Sequence, residues 1–379
     1  MSYPIYINGR FLNQRQTGVQ RFARQTVQAI DHLLDQPTHQ SLRDHVVLLV
    51  PAGMEDVTPV LRNVRVQAGG RFRGGYAWEQ LDLPRLATDG VLLNLCNLGP
   101  LAKRRQVVVV HDATPRVSPE SFSLPFRLAY RVLVPLLGRV ARGIVTISDF
   151  SRNEIAQWYG IPANRITLCS EGGDHILDVT ADRGVLDRNG LAAQGGLTNR
   201  PYFLAVGVGS ANKNVDLVIQ AFEKAALDGV RLVLTGKRDT RVHPAAGVQA
   251  VAAASDSLCP VGHVSDGELR ALYENALALV YPSRYEGFGL PPVEAMTCGC
   301  PVVISDQEAL IEVAAPKETG AALVCGMDDA DGLALLLRRL ATEDLLRRQL
   351  SVRGRTRAGR FLWSHTAKNL LDRCLAVAS

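Results

Sequence analysis

The 379 residues, 47% hydrophobic and 21% charged, exceed what one ordinary core organises and divide most naturally into two domains. A mean hydropathy near zero excludes a disordered or fibrous chain, and apolar runs as short as Val46–Val50 and Val107–Val110 exclude a transmembrane helix. The net charge of +5 lies in the first half: residues 1–190 hold 22 Lys and Arg against 17 Asp and Glu, and the remainder holds 20 of each.

That excess suits an anionic partner such as a phosphorylated acceptor or a bilayer surface. A composition of 36 Arg against 6 Lys accounts for it equally well without any partner. The opening segment "MSYPIYINGR" has no charged region followed by an apolar stretch, so it reads as a first strand rather than a signal peptide. "RQTGVQRFARQTVQAI" follows, with Gly18 at the start of a helix. A glycine there lets a ligand phosphate approach the backbone, although it is more often only a turn.

"HVVLLVP", "VLLNLC", "QVVVVHD", "GIVTIS" and "RITLCSEGG" read as strands of the first half. They are short, continuous apolar runs separated by helical patterns, which is the signature of parallel strands covered on both faces. His111 follows "QVVVV" at a strand end and is expected to face a cleft. Residues 126–142, "FRLAYRVLVPLLGRVAR", are apolar with Arg127, Arg131, Arg139 and Arg142. The segment suits anionic lipid, but a helix facing its domain core is the simpler account. The stretch Asp178–Arg200 is polar and Gly-rich and lacks a sustained apolar period, so the domain boundary is placed there.

"YFLAVGVG", "RLVLTGK", "ALALVYPS" and "CPVVISD" repeat the strand pattern in the second half. The expected architecture is thus α/β, with two doubly wound Rossmann-like domains facing across a cleft. Residues 1–183 form the first domain and 190–360 the second. Such sheets bind ligands beyond the carboxyl ends of their strands. The seven cysteines are scattered with no C-x-x-C pair, which supports neither a disulfide framework nor a zinc site and suits a reducing, cytosolic compartment. Cys298 and Cys300 read as small packed residues.

The densest chemistry is "YPSRYEGFGLPPVEAM", residues 281–296. Glu286 follows a strand, Gly287 and Gly289 permit a tight turn, and Pro291 and Pro292 suit the first turn of a helix. Glu294 is then expected in that first turn. Backbone N–H groups between two carboxylates form an anion site with acceptors at both ends, which fits the phosphates and terminal hydroxyls of a sugar nucleotide. The plainer alternative is that Glu286 caps the turn and Glu294 favours its helix N-terminus. Asp329-Ala-Asp331 has the spacing of a metal-binding D-x-D, but it precedes "GLALLLRRLA" and reads as an N-cap. No metal is therefore expected. "GVGSAN" lacks the third glycine of a dinucleotide fingerprint.

"PSRYEGFGLPPVEAMTCGCPVV" resembles the E-x7-E signature of retaining glycosyltransferases of family four, which have the GT-B architecture. "YFLAVGVGSANKNVDLVIQAFE" is similar to that family's donor-phosphate segment, and "VVVVHDATPRVSPESFS" to part of its N-terminal domain. The subgroup resembled most is the bacterial mannosyltransferases that build surface polysaccharides. The resemblance implies that Glu286 lies against the transferred hexose and that Glu294 bonds the ribose hydroxyls. It also implies that the backbone of Gly287, Phe288, Gly289 and Leu290 holds sugar and distal phosphate, and that Lys213 neutralises the diphosphate beside Gly207. Gly18 would pass close to the donor phosphate and His111 would lie near donor sugar and acceptor. Asn212 departs from the family, which often has Arg there, so a second cation is sought in Arg238 or Arg284. In the GT-B architecture the last segment, 361–379, crosses back to the first domain.

The expected activity is therefore retaining transfer of a hexose to a glycan on a lipid diphosphate carrier, without a cofactor. GDP-mannose is the favoured donor. UDP- or dTDP-sugars such as rhamnose, an epimerase of the same architecture and a non-catalytic binding module are the alternatives. A glycan phosphorylase would need a pyridoxal-phosphate lysine, and none is evident. The expected setting is the cytoplasm, at the inner face of the membrane, with peripheral membrane contact through the basic first domain and no nucleic-acid partner.

Overall fold

The computed structural model describes residues 3–54, 60–119, 122–191, 200–236 and 256–378. The chain forms two compact units, Met1–Gly172 with Trp363–Ser379, and Gly173–Leu362. The first contains a seven-stranded sheet of β1 (Ile5–Asn8), β2 (Val46–Pro51), β3 (Arg65–Gly69), β4 (Val91–Asn94), β5 (Gln106–Val109), β6 (Gly143–Thr146) and β7 (Ile166–Leu168). Their order is β3-β2-β1-β4-β5-β6-β7, and every pairing is parallel. All residues of β1, β2, β4, β5 and β6 are buried, as strands covered on both faces must be.

The second unit contains β8 (Tyr202–Val206), β9 (Arg231–Thr235), β10 (Leu258–Gly262), β11 (Ala278–Tyr281), β12 (Val302–Ser305) and β13 (Leu323–Cys325). Their order is β10-β9-β8-β11-β12-β13, and all pairings are again parallel. In each sheet the direction of winding reverses once, between β1 and β4 in the first and between β8 and β11 in the second. At such a reversal the following loops diverge to opposite faces and leave a crevice at the strands' carboxyl ends.

The helices used below are α1 (Gly18–Leu33), α2 (Leu124–Val140), α3 (Val215–Ala225), α4 (Asp266–Asn275), α5 (Leu290–Cys298), α6 (Ala330–Thr342) and α7 (Trp363–Ala378). In the second unit α3 and α6 share one core, with Leu217, Val218 and Phe222 against Leu333, Leu337 and Leu340. In the first unit Tyr130, Val134 and Leu137 of α2 enter a core with Val108, Ile144 and Ile155. The opposite side of α2 leaves Leu124, Leu128 and Val132 at 62%, 52% and 55% exposure. The core-facing account of this helix therefore covers one face only.

The division between units falls at Gly172/Gly173, ahead of the Asp178–Arg200 stretch where composition placed it. Residues 173–182 are tied to the second unit. Gly173 N–H bonds Phe361 O at 3.0 Å, Asp182 N–H bonds Gly267 O at 2.9 Å, and Arg270 Nη1 donates to the carbonyls of Leu177 and Val179 at 2.9 and 2.7 Å. Polarity marks solvent-facing chain, not the place where packing changes hands. The part of that stretch at 192–199 lies outside the described residues. The terminal helix α7 belongs to the first unit and packs on α1, with Phe22 edge-on to Trp363 at 5.6 Å. Phe361 and Leu362 stay with the second unit.

Candidate active site

The second unit's reversal point carries the expected residues. After β8 the chain turns at Gly207, whose φ of +73° a side chain would resist. It then forms a short 3-10 turn, Ala211–Lys213. After β11 it runs through Ser283 and Glu286 to Gly289, which caps α5 in a left-handed conformation. Because β8 and β11 are hydrogen-bonded neighbours, the two loops meet. Asn212 joins them: its Nδ2 donates to Tyr285 O at 2.9 Å. Its carbonyl accepts from Arg284 N–H at 2.7 Å and lies 2.8 Å from Ser283 Oγ.

Glu286 Oε1 collects three donors: Lys213 Nζ at 2.5 Å, Ser283 Oγ at 2.6 Å and Tyr281 OH at 2.9 Å. The lysine and glutamate side chains are only 17% and 13% exposed. Lys213 Nζ also lies 4.8 Å above the Tyr281 ring, a further attraction for a cation. The cation expected to meet a diphosphate is thus already present at the strand ends, balanced by one carboxylate.

Glu294 is placed differently from expectation. The helix begins at Leu290 and has no acidic residue in its first turn, so Glu294 lies in the second turn. One turn deeper, it is 3% exposed, and a buried carboxylate needs donors. His175 Nε2 lies 3.0 Å from Oε1, and Tyr273 OH donates to Oε2 at 3.1 Å. Burial first, then the Glu294 charge, hold the Tyr273 phenol well above its ordinary value, so it remains a donor. Neither partner was visible in the sequence pattern. The signal available was the histidine in the loop after "RITLCSEGGD" together with the need of a buried acid for a donor.

Of the candidates for a second cation, Arg284 is ion-paired to Asp328 at 2.6 Å and Arg238 lies outside the described residues. Asp329 caps α6, accepting from Gly332 N–H at 2.8 Å, and Asp331 pairs with Lys224 at 2.8 Å. Among the described residues no group of three His, Cys, Asp or Glu is placed to hold a metal ion. All seven cysteines are free thiols. Burial pushes Cys298 up to about 12, which suits packing rather than reactivity.

In the first unit His111 lies two residues past β5 and is 2% exposed. Its Nε2 lies 2.9 Å from Leu95 O; a carbonyl only accepts, so that nitrogen carries the proton. Nδ1 lies 3.6 Å from Glu171 Oε1, and Phe22 stands edge-on at 4.7 Å. Gly18 opens α1 with nothing within 4 Å of the position a Cβ would take, so its backbone has open space before it.

The whole fold is that of the GT-B glycosyltransferases. It superposes on sucrose-phosphate synthase from Thermosynechococcus elongatus with a TM-score of 0.71 at 19% identity, covering 99% of this chain and 100% of that one. Residues 188–357, within the second unit, match the family described as Glycosyl transferases group 1. The chain is 33% identical over 238 residues to O-antigen chain mannosyltransferase B of Escherichia coli. It is 29% identical over 226 residues to O-antigen chain mannosyltransferase RfbU of Salmonella typhimurium. These matches take in 61% and 60% of this chain and span 60% and 58% of the relatives' lengths.

Gly289 is the hinge on which both carboxylates depend. Its φ is +101°, and a Cβ there would fall 2.5 Å from Leu310 Cδ2. Gly289→Ala is expected to lower the stability of the second unit by about 1–3 kcal/mol, read by urea unfolding. An unchanged midpoint would show that the turn is not under this constraint.

Proposed function

We propose that the chain is a retaining mannosyltransferase of polysaccharide synthesis that uses GDP-mannose and no metal. The observation that carries this reading is the Lys213–Glu286 pair at the reversal point of the second sheet, supported by the group 1 match and the mannosyltransferase relatives. Departure of a nucleoside diphosphate develops negative charge on the leaving oxygen, and a fixed cation there stabilises the transition state. Lys213 supplies it, Glu286 meets the hexose, and the backbone of Gly287–Leu290 meets sugar and distal phosphate. Glu294, held by His175 and Tyr273, takes the ribose hydroxyls. Gly18 leaves room for the donor phosphate and His111 serves the sugar and acceptor. The acceptor is a glycan on a lipid diphosphate, and its hydroxyl attacks from the side the phosphate leaves, so that the phosphate takes its proton.

Titration of GDP by calorimetry tests the donor site. Lys213→Ala and Glu294→Ala should each weaken binding roughly tenfold or more, since each removes a charge-assisted contact worth about 1.5–3 kcal/mol. Glu286→Gln should tighten GDP, because it releases Lys213 from its internal partner, yet abolish transfer. EDTA should leave both binding and transfer intact. Unchanged GDP affinity in both alanine variants would remove the second unit's site from the reaction. A screen of UDP-, dTDP- and ADP-sugars in the same assay tests the choice of base.

The same reading includes peripheral contact with an anionic bilayer. Leu124, Leu128 and Val132 recur every fourth residue on one exposed face of α2, and Arg131 is exposed beside them, the pattern of an interfacial helix. Leu128→Glu with Val132→Glu should abolish flotation with phosphatidylglycerol vesicles, whereas GDP binding stays unchanged. Equal flotation of the double variant would refute the contact.

A further inference from the structure

The first unit has a reversal point of its own, between β1 and β4. Its strand ends carry a second cluster that the donor site does not use. Arg10, two residues past β1, is 8% exposed. Its Nε is 2.7 Å from Oε2 of Glu79, which is fully buried. Asn8 Nδ2 supports the same oxygen at 3.2 Å and links it to Asn94 Oδ1 at 3.0 Å, at the end of β4. Among the described residues neither terminal nitrogen of Arg10 has a hydrogen-bond partner. A guanidinium held this firmly, with four of its five N–H donors unused, is prepared for a ligand.

The Arg10 guanidinium lies 4.8 Å from the ring centre of Tyr76. Tyr76 is 44% exposed, and among the described residues no other ring or cation covers it. Tyr76 sits in the helical turn Gly75–Ala77, and the segment that leads into it is pinned from behind. Asp82 Oδ2 accepts from the N–H groups of Arg71 and Phe72 at 2.7 and 2.9 Å, and Trp78 Nε1 donates to Gly69 O at 2.8 Å. Phe72, on that segment, is 40% exposed. Exposed aromatic rings on a fixed segment lose little entropy on binding.

We propose that this cluster is a neutral-saccharide subsite of the first unit, where one ring of the glycan acceptor stacks on Tyr76 and its hydroxyls accept from the free nitrogens of Arg10. The chemistry selects that class. The C–H face of a sugar carries partial positive charge and suits the negative face of an aromatic ring. The Tyr76 ring beside the free donors of Arg10 offers a stacking face with hydrogen-bond donors near it, which a saccharide ring with its hydroxyls fills and a bare phosphate does not. The identity of the saccharide as an acceptor rests on the function proposed above.

Saturation-transfer NMR with α-linked mannobiose tests it, with GDP calorimetry run on the same preparations. The intact protein should bind the disaccharide. Tyr76→Ala should weaken that binding roughly fivefold to tenfold, and Tyr76→Phe, which keeps the ring and loses only the hydroxyl, should bind nearly as the intact protein does. GDP affinity should be equal in all three. Mannobiose binding unaffected by Tyr76→Ala, or lost equally in Tyr76→Phe, overturns the subsite. GDP binding without any mannobiose binding overturns the subsite alone and leaves the donor reading standing. Failure of both ligands overturns the two together.

Discussion

A lysine and a glutamate 2.5 Å apart at the ends of two neighbouring parallel strands are the interaction on which the second unit's site depends. The pair exists because β8 and β11 are adjacent, so that the loops leaving their carboxyl ends meet, which is a property of sheet order rather than of either loop. Asn212 then locks the loops through two hydrogen bonds, to Tyr285 O and from Arg284 N–H. The family resemblance led to the expectation of an arginine at this place. Here a short amide fixes loop geometry instead, and Lys213 remains the cation aimed into the strand ends among the described residues.

The same constraint shapes the first unit. Its reversal between β1 and β4 gathers Asn8, Arg10, Asn94 and Asn97, with His111 just past the end of the next strand. Asn97 Oδ1 accepts from His111 N–H at 2.8 Å, tying those ends together. Burial outweighs the Arg10 charge in raising Glu79 above the ordinary carboxylate range, and burial likewise raises the Tyr130 phenol. Each sheet thus holds a largely buried cation–carboxylate pair beside its reversal point, where open parallel sheets present ligands.

The strands buried on both faces were legible, because burial requires the continuous apolar runs that the chain shows at β2, β4, β5, β6, β8, β9, β11 and β12. Of the four edge strands only β7 was, within "RITLCSEGG". β3 reads "RVQAG" and is partly exposed throughout, β10 reads "LCPVG", and β13 reads "LVC"; each has one open side and needs no apolar run. Glu286, Lys213 and the Gly289 turn were legible from spacing around a strand end. Glu294 was legible as a residue but not as a second-turn, buried acid, since a one-residue shift in helix start changes its depth. His175, Tyr273 and the Arg10–Glu79 pair were not legible, because each is made by tertiary contact between segments with no sequence spacing to join them.

On the proposed function the site has a cation for the departing diphosphate. Its one carboxylate beside the sugar, Glu286, is held by three donors on the donor's own side. Such a carboxylate is poorly placed to act as a base behind the anomeric carbon. The configuration of the product therefore tests the account most directly. The measurement is the anomeric one-bond carbon–proton coupling, by NMR, of the purified glycan made from GDP-α-mannose. The account predicts an α linkage. A β linkage would contradict it, and would require Glu286 or His111 to deprotonate the acceptor.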